Sequence, residues 1–198
     1  MARRSREAFG IISRPNLEYG KTTGLASAGK LVLVELYILR HGIAEEGVAG
    51  QPDSERALTT EGRKKLRGIL KSAAAAGVSP SLIVTSPYRR AVQTAQIAAE
   101  ILGYGGELLR TKALVPGSTP QAVWEEVRIH REVNQILLSG HEPLLSATAA
   151  FLLNAHSLQI EFKKGSMARI DVARFGSATH GALKWLIAPK VAKVTVGK

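Results

Sequence analysis

The 198-residue sequence contains no cysteine, so it can form neither a disulfide framework nor a thiolate that binds metal or attacks a substrate. Proteins without disulfides are typical of reducing compartments, and we expect a cytoplasmic protein. Long apolar runs are missing as well. The longest, at residues 31–39, is interrupted by Glu35 and is far shorter than the roughly 20 residues of a membrane span. We therefore expect neither a membrane protein nor a membrane partner.

Aromatic residues are scarce, with four Phe, four Tyr and two Trp, and no basic run is interleaved with them. The sequence therefore lacks an evident stacking platform for nucleic acid, and we expect no nucleic-acid partner. Positive charge, by contrast, is abundant. The 27 Lys and Arg residues exceed the 16 Asp and Glu residues and give a formal net charge of +11. This excess favours phosphorylated ligands or acidic protein partners through long-range attraction.

The chain divides into three segments by composition. Residues 1–30 lack sustained apolar periodicity and contain scattered Gly, Ser, Thr and Pro, so we predict a disordered basic tail over residues 1–33. Residues 34–190 form the predicted domain, and residues 191–198 a short C-terminal tail. The apolar content of 45 % is enough for one domain to bury its own core without disulfides or structural metal ions.

Strand and helix patterns alternate through the predicted domain. The aliphatic run at 31–39 shows no alternation, as expected for a central strand covered on both faces. This rhythm predicts an α/β three-layer α/β/α sandwich with a mostly parallel sheet and an antiparallel edge. Strands are predicted at 31–39, 81–85, 107–110, 133–139, 167–172 and 183–188, and helices at 60–76, 88–102, 119–132 and 143–154.

Arginine and histidine follow three of the predicted strands. Ligands of open parallel sheets bind beyond the carboxyl ends of the strands, so these side chains should share one rim. A guanidinium offers two phosphate oxygens a permanently charged planar fork, and a neutral imidazole can attack phosphorus while a second one donates a hydrogen bond. The pattern therefore predicts an anion site. The segments are Arg40-His41-Gly42, Ser86 to Arg90, and Gly140-His141.

At these residues the sequence resembles the histidine phosphatase superfamily, whose fold is the phosphoglycerate mutase-like fold. The superfamily signature is Arg-His-Gly after the first strand, Ser-Pro-x-x-Arg-Ala-x-x-Thr-Ala after the second, and a late Gly-His. The segment from Asp53 to Gly62 also resembles the Arg-x-Leu-Thr-x-x-Gly loop of its small SixA-like phosphohistidine phosphatases. The four matching pieces read Arg40-His41-Gly42, Ser86-Pro87-Tyr88-Arg89-Arg90-Ala91-Val92-Gln93-Thr94-Ala95, Gly140-His141 and Arg56-Ala57-Leu58-Thr59.

The resemblance implies a role for each matching residue. His41 would be the nucleophile that becomes phosphorylated, Arg40 and Arg90 would clamp the phosphate, and His141 would complete the catalytic set. Arg56 would close the pocket. Gly42 and Ser86 are further substrate-binding candidates, and Ser86 could equally cap the following helix. No cofactor or metal is expected, because the arginines supply the charge that a metal supplies elsewhere.

An acid is missing where superfamily members that cleave phosphate esters usually have one. Residues 112–120 contain no Asp or Glu, whereas an alkoxide leaving group needs a proton. The histidine ring of phosphohistidine can leave as a neutral imidazole, so its cleavage depends less on a proton donor. Hydrolysis of small phosphate esters is the alternative function. A phosphate-binding module without catalytic activity is a third. The remaining candidate acids are Glu45, Glu46, Glu107, Glu125 and Glu142.

The resemblance also bears on partners and on the start of the chain. We expect a monomer that dephosphorylates a phosphohistidine-bearing protein, such as a phosphotransfer protein. Relatives typically begin with Met just before a sequence like Glu35-Leu36-Tyr37, a place that Val34 occupies here. We therefore expect translation to start at Val34 from an alternative start codon.

Overall fold

Six strands form one sheet in the computed structural model, which describes residues 33–130, 132–173 and 180–189. The order across the sheet is β3-β2-β4-β1-β5-β6. The first four strands of that order run parallel to one another, whereas β5 and β6 are antiparallel. The predicted mostly parallel sheet with an antiparallel edge is therefore confirmed. The strands are β1 (Leu33–Arg40), β2 (Leu82–Thr85), β3 (Leu109–Arg110), β4 (Gln135–Gly140), β5 (Met167–Ala173) and β6 (Gly181–Ile187).

Four α-helices connect or cover these strands within the described ranges: α1 (Thr60–Ala75), α2 (Arg89–Leu102), α3 (Pro120–Ile129) and α4 (Leu144–Leu152). The side chain of Thr59 caps α1 by accepting a hydrogen bond from the Gly62 amide at 2.9 Å, and α2 ends at Gly103, whose φ is 70°. None of the described helices is long and apolar enough to cross a membrane.

Each predicted helix and strand is present, with shifted boundaries. The helix predicted to end at 132 ends at Ile129, and only the last two residues of the predicted strand 107–110 pair with β2. No glycine or proline marks either boundary, so the sequence offered no stop signal there. The predicted tails lie outside the described residues, apart from Leu33.

Alternate residues of β1 point into two separate cores. Leu36 and Ile38 belong to the core under α3 and α4, and Tyr37 and Leu39 to the core under α1 and α2. All four side chains are almost fully buried. The three-layer arrangement of helices, sheet and helices is therefore confirmed, and it explains why the β1 sequence is apolar without alternation.

The long loop between β1 and α1 is folded against the start of α1. A two-residue antiparallel bridge joins Ala44 to Leu58, and a short 3-10 helix covers Asp53–Glu55. At Gly62 the backbone of α1 comes so close to this loop that a Cβ atom would lie 2.2 Å from the Ile43 carbonyl oxygen. Glycine at this position lets the loop return over the carboxyl end of the sheet.

Candidate active site

The carboxyl ends of β1, β2 and β4 lie side by side and bring the predicted residues together. Arg40 ends β1, and the His41 amide donates to the Gly140 carbonyl oxygen of β4 at 3.1 Å. The imidazole rings of His41 and His141 are 5.0 Å apart between centroids. Arg90, at the start of α2, places its Nε atom 3.3 Å from Nε2 of His41. Two histidines and two arginines thus meet at one buried point.

His41 is held as a neutral imidazole with a defined tautomer. Its Nδ1 atom lies 2.7 Å from the Gly42 carbonyl oxygen, which can only accept, so the ring proton sits on Nδ1. Burial lowers the pKa of His41 to about 4; the Gly42 carbonyl opposes this shift, and the charges of Arg90, Arg40 and Lys164 add to it. At neutral pH, Nε2 therefore carries a free electron pair that accepts a hydrogen bond from Arg90.

The motif residues around Gly42 fix this geometry. The Gly42 amide donates to Oγ1 of Thr94 at 3.2 Å, and the Thr94 hydroxyl donates to the Arg90 carbonyl oxygen at 2.8 Å. A Cβ atom at Gly42 would lie 3.3 Å from the Gly62 carbonyl oxygen, a contact tighter than most side chains make. Gly42, predicted as a substrate-binding residue, orients the His41 ring through its carbonyl group.

His141 is paired with Ser86 through one nitrogen and has no partner at the other. Its Nε2 atom lies 2.8 Å from Oγ of Ser86, which also accepts the Tyr88 amide at 3.3 Å. We assign the Ser86 hydroxyl as the donor to Nε2, which places the proton of His141 on Nδ1. Burial, and then the charges of His41 and Arg90, lower the pKa of His141 to about 3, with Asp53 opposing. His141 is thus a neutral N–H donor.

Ser86 has a role that differs from the predicted helix cap. The N-cap of α2 is Tyr88, and the Ser86 hydroxyl contacts His141 instead. The capping interpretation was wrong because Ser86 lies two residues before the N-cap and its hydroxyl contacts the Tyr88 amide and His141. Ser86 fixes the tautomer and the ring orientation of His141.

Two buried hydrogen-bond donors at the site lack partners among the described residues. They are Nε of Arg40 and Nδ1 of His141. A second nitrogen of Arg40, Nη1, donates to the Phe162 carbonyl oxygen. Burial lowers the pKa of the Arg40 guanidinium, and the carboxylates of Glu142 and Glu161 oppose that shift. Unsatisfied buried donors cost free energy, and an anion in the pocket would satisfy them.

Arg90 and Arg89 are adjacent in sequence but lie in different environments. The Arg90 side chain is buried and packs its guanidinium 5.0 Å from the centroid of the Tyr88 ring. Arg89 is exposed, and its Nη1 atom lies 3.5 Å from the Glu55 carbonyl oxygen. The residue spacing predicted Arg90 as the clamp, and Arg90 is the arginine that contacts His41.

Arg56 is linked to the site through Asp53, an acid that the sequence analysis did not single out. Its Nε atom donates to Oδ1 of Asp53 at 2.8 Å, and its Nη1 atom to the Glu45 carbonyl oxygen at 3.0 Å. Asp53 in turn accepts from Nη2 of Arg90 at 2.8 Å. The signal for Asp53 lay in the loop motif itself, three residues before Arg56, whereas the search for an acid concentrated on residues 112–120.

None of the five glutamates considered as proton donors forms a hydrogen bond with His41 or His141 among the described residues. Glu142 caps α4, where its carboxylate accepts from the Ser146 amide at 3.1 Å and from the Ser146 hydroxyl at 2.6 Å. Glu125 pairs with Arg128 on the exposed face of α3. The side chains of Glu45, Glu46 and Glu107 are exposed.

The other three histidines, His130, His156 and His180, have no motif around them in the sequence, which predicts surface positions for them. His156 and His180 are exposed, as predicted. His130 is half-buried, and its Nε2 atom lies 3.3 Å from Glu126 Oε1 on the preceding turn of α3. His130 is therefore less exposed than predicted, because it is the C-cap of α3 and lies four residues after Glu126, on the same face of the helix. Among the described residues, no group of His, Asp or Glu has the arrangement of a metal site.

Comparison with known proteins identifies related sequences and folds. Residues 36–114 match the model of the histidine phosphatase superfamily (branch 1). An uncharacterized protein of Picosynechococcus sp. (strain PCC 7002) is 33 % identical over 164 residues, which cover 79 % of this chain and 98 % of that protein.

Solved structures share the fold at lower identity. The protein histidine phosphatase SixA, solved in complex with tungstate, superposes with a TM-score of 0.72 at 24 % identity, covering 79 % of this chain and 98 % of that one. A mycobacterial glucosyl-3-phosphoglycerate phosphatase superposes with a TM-score of 0.59 at 18 % identity, covering 77 % and 97 %. The fold is therefore the phosphoglycerate mutase-like fold.

Proposed function

The chain belongs to the histidine phosphatase superfamily, and we propose that it is a SixA-like phosphohistidine phosphatase that acts on a protein. The observation that carries the proposal is the state of His41. Its Nδ1 proton is bound by the Gly42 carbonyl at 2.7 Å, and its Nε2 electron pair lies beside the Arg90 guanidinium, 3.3 Å from Nε. A nucleophile and a phosphate-binding cation are thus adjacent before any substrate binds.

In the first step, Nε2 of His41 attacks the phosphorus atom of the substrate phosphohistidine. A P–N bond forms at His41 while the P–N bond to the substrate breaks, and the electron pair of that bond stays on the substrate ring nitrogen. Arg90, Arg40 and the Nδ1–H group of His141 are the donors available to the equatorial oxygens, where negative charge spreads in the transition state. The Gly42 carbonyl stabilises the His41 ring, which becomes cationic on phosphorylation.

In the second step, water attacks the phosphorus atom of phospho-His41. The new P–N bond breaks, its electron pair returns to Nε2, and both water protons leave with the product as dihydrogen phosphate. His41 is then neutral again with its proton still on Nδ1. Splitting the transfer into two steps needs no metal, because the arginines supply the positive charge.

The leaving group distinguishes this function from hydrolysis of small phosphate esters. A substrate imidazole protonated on its distal nitrogen departs as a neutral molecule, whereas an alkoxide needs a proton donor. Residues 112–120 contain no acid, and Glu142 is engaged in capping α4. These features support phosphohistidine as the substrate. A phosphohistidine-containing phosphotransfer protein is the partner that we propose, with the enzyme acting as a monomer.

A substrate panel tests the proposal. We expect the wild-type protein to cleave a phosphohistidine peptide fastest, p-nitrophenyl phosphate more slowly, and phosphoserine or a sugar phosphate slowest. A general acid typically contributes about a hundredfold to ten-thousandfold for a poor leaving group, so the rate should fall steeply as the leaving-group pKa rises.

The opposite ranking would favour the alternative function. If a sugar phosphate is cleaved as fast as phosphohistidine, and Glu142→Gln or Glu107→Gln removes only that activity, then an acid takes part. The protein is then a small-molecule phosphatase, as the glucosyl-3-phosphoglycerate phosphatase of similar fold is. Glu125→Gln, on the exposed face of α3, is the matched control.

A further inference from the structure

Asp53 lies at the mouth of the anion pocket and binds two arginines at once. Oδ2 accepts from Nη2 of Arg90 at 2.8 Å, and Oδ1 accepts from Nε of Arg56 at 2.8 Å. The Asp53 carbonyl oxygen also accepts from Nη1 of Arg90, at 2.6 Å. Although it is held on both sides, the Asp53 side chain is 57 % exposed. A carboxylate is therefore fixed in place and open to an incoming substrate.

This carboxylate is ionised at neutral pH. Partial burial acts to raise the pKa of Asp53, but the hydrogen bonds and charges of Arg90 and Arg56 outweigh it and lower that pKa below its usual value. An acid with so low a pKa carries no proton at neutral pH and cannot donate one to a leaving group. Asp53 therefore does not replace the missing general acid, but it can accept a hydrogen bond.

Asp53 and the nucleophile His41 contact the same arginine, so the negative charge of Asp53 acts on a substrate bound at His41. The Arg90 guanidinium contacts His41 through Nε and Asp53 through Nη1 and Nη2. A phosphoryl group beside His41 therefore shares one guanidinium with the carboxylate. The leaving oxygen of a phosphate ester carries no proton and gains negative charge as the P–O bond breaks, which the carboxylate disfavours. A phosphoramidate brings a leaving nitrogen that is positively charged when protonated, which the carboxylate attracts.

We propose that Asp53 is a specificity-determining residue that selects phosphoramidates over phosphate monoesters by accepting a hydrogen bond from the protonated leaving group. In the reaction of phosphohistidine, the bond runs from the distal ring N–H of the substrate to the Asp53 carboxylate. When the P–N bond breaks, its electron pair stays on the proximal nitrogen, the distal proton stays where it is, and neutral imidazole departs. Asp53 gains and loses no proton. The inference rests on the proposed phosphohistidine phosphatase function and names how the site recognises its substrate.

Two small probes test the selection without a protein partner. Phosphoramidate carries a protonated nitrogen that leaves as neutral ammonia, whereas the oxygen of p-nitrophenyl phosphate carries no proton and leaves as the phenolate anion. For Asp53→Asn we expect kcat/KM for phosphoramidate to fall about tenfold to hundredfold, as when a hydrogen bond to a charged group is lost, with kcat/KM for p-nitrophenyl phosphate unchanged or raised. Asp53→Glu keeps the charge and should keep most of the selectivity.

The controls separate selection from structural support. Glu100→Gln removes a carboxylate that binds both Nη atoms of Arg67 at 2.7 Å on the exposed surface, and it should leave the ratio of the two rates unchanged. Equal losses on both probes in Asp53→Asn would mean that Asp53 only positions Arg90, and the inference would be overturned. Asp53→Ser provides a second neutral variant should the Asn variant fail to fold, and its two rates are judged by the same criterion.

Failure of the proposed function has a different signature. A wild-type protein that leaves a phosphohistidine peptide intact but cleaves alkyl phosphates rapidly would contradict that function, whatever the Asp53 variants do. A change in the ratio of phosphoramidate to p-nitrophenyl phosphate cleavage reports on Asp53 alone.

Discussion

Arginines lie at both ends of the sheet, but the number of carboxylates beside them differs. At the amino ends of β1 and β4, Arg169 binds Glu35 at 2.9 Å and Asp171 at 2.7 Å. The Tyr37 hydroxyl completes this network by donating to Glu35 at 2.6 Å. The cation is matched by carboxylates on both sides, so no charge is left for a ligand.

At the carboxyl ends, cations exceed anions. Arg90 and Arg56 share one carboxylate, that of Asp53, and one buried donor of Arg40 has no partner among the described residues. An arginine neutralised by two acids stabilises the fold, whereas a surplus of guanidinium groups around a neutral histidine provides a binding site for an anion. Variants at the two ends should therefore separate activity from stability.

The largest effect is expected from removal of the nucleophile. His41→Ala should abolish turnover, with a loss of at least about a thousandfold, because the attacking nitrogen is gone. It should also abolish any acid-labile, base-stable phosphoenzyme, which labelled phosphoryl donor would detect in the wild type. His156→Ala, at an exposed histidine, is the control. A labelled phosphoenzyme that persists in His41→Ala would show that another group attacks.

Loss of the clamp should come next in size. Arg90→Ala leaves the attacking imidazole in place and removes a preorganised donor, which typically costs about 2 to 4 kcal/mol of transition-state stabilisation. Its exposed neighbour provides the matched control, and Arg89→Ala should change kcat/KM only slightly. A large loss in Arg89→Ala together with a small loss in Arg90→Ala would show that Arg89 holds the phosphate. The contact between Arg90 and His41 would then not serve phosphate binding.

Much of this arrangement could be predicted from the sequence, because strand ends and motif spacing are local properties. The uninterrupted apolar run of β1 predicted a central strand, and the residues after β1, β2 and β4 predicted one shared rim. The loop motif contains Asp53, but its contact with Arg90 is not a local property. Its importance depends on a long loop folding back so that its 3-10 turn meets Arg90, 37 positions later in the chain. The partner of Ser86 was missed for the same reason, since its contact with His141 spans 55 positions.

The amino end of the sheet should respond in stability rather than in activity. Arg169→Ala removes the cation that bridges Glu35 and Asp171 and leaves only Lys184, 3.9 Å from Asp171. Partly buried networks of this kind typically lose about 1 to 3 kcal/mol when one member is removed. Chemical denaturation would measure that loss, while kcat/KM of the folded protein should match the wild type. A large fall in kcat/KM at unchanged stability would show that Arg169 serves activity, and the distinction between the two ends of the sheet would be wrong.

The smallest effect concerns how the neutral histidines of the site couple stability to pH. Their pKa values lie near 4 for His41 and near 3 for His141, below the ordinary value of 6.5, so the unfolded chain binds more protons than the folded protein as the pH falls below about 6.5. Stability should therefore decrease with falling pH through this window and be unaffected by these groups above it. Between pH 7 and pH 5.5, His41 should account for about 1 kcal/mol of that decrease.

Replacing His41 by a residue that does not titrate isolates this contribution. His41→Gln should lose less stability than the wild type between the same two pH values, because one group that protonates only on unfolding is gone. His156→Gln, at an exposed histidine away from the site, is the control and should follow the wild type. Denaturation curves at the two pH values give the difference directly. Equal losses in His41→Gln and the wild type would mean that His41 takes up a proton in the folded protein, which would deprive Nε2 of the electron pair needed for attack.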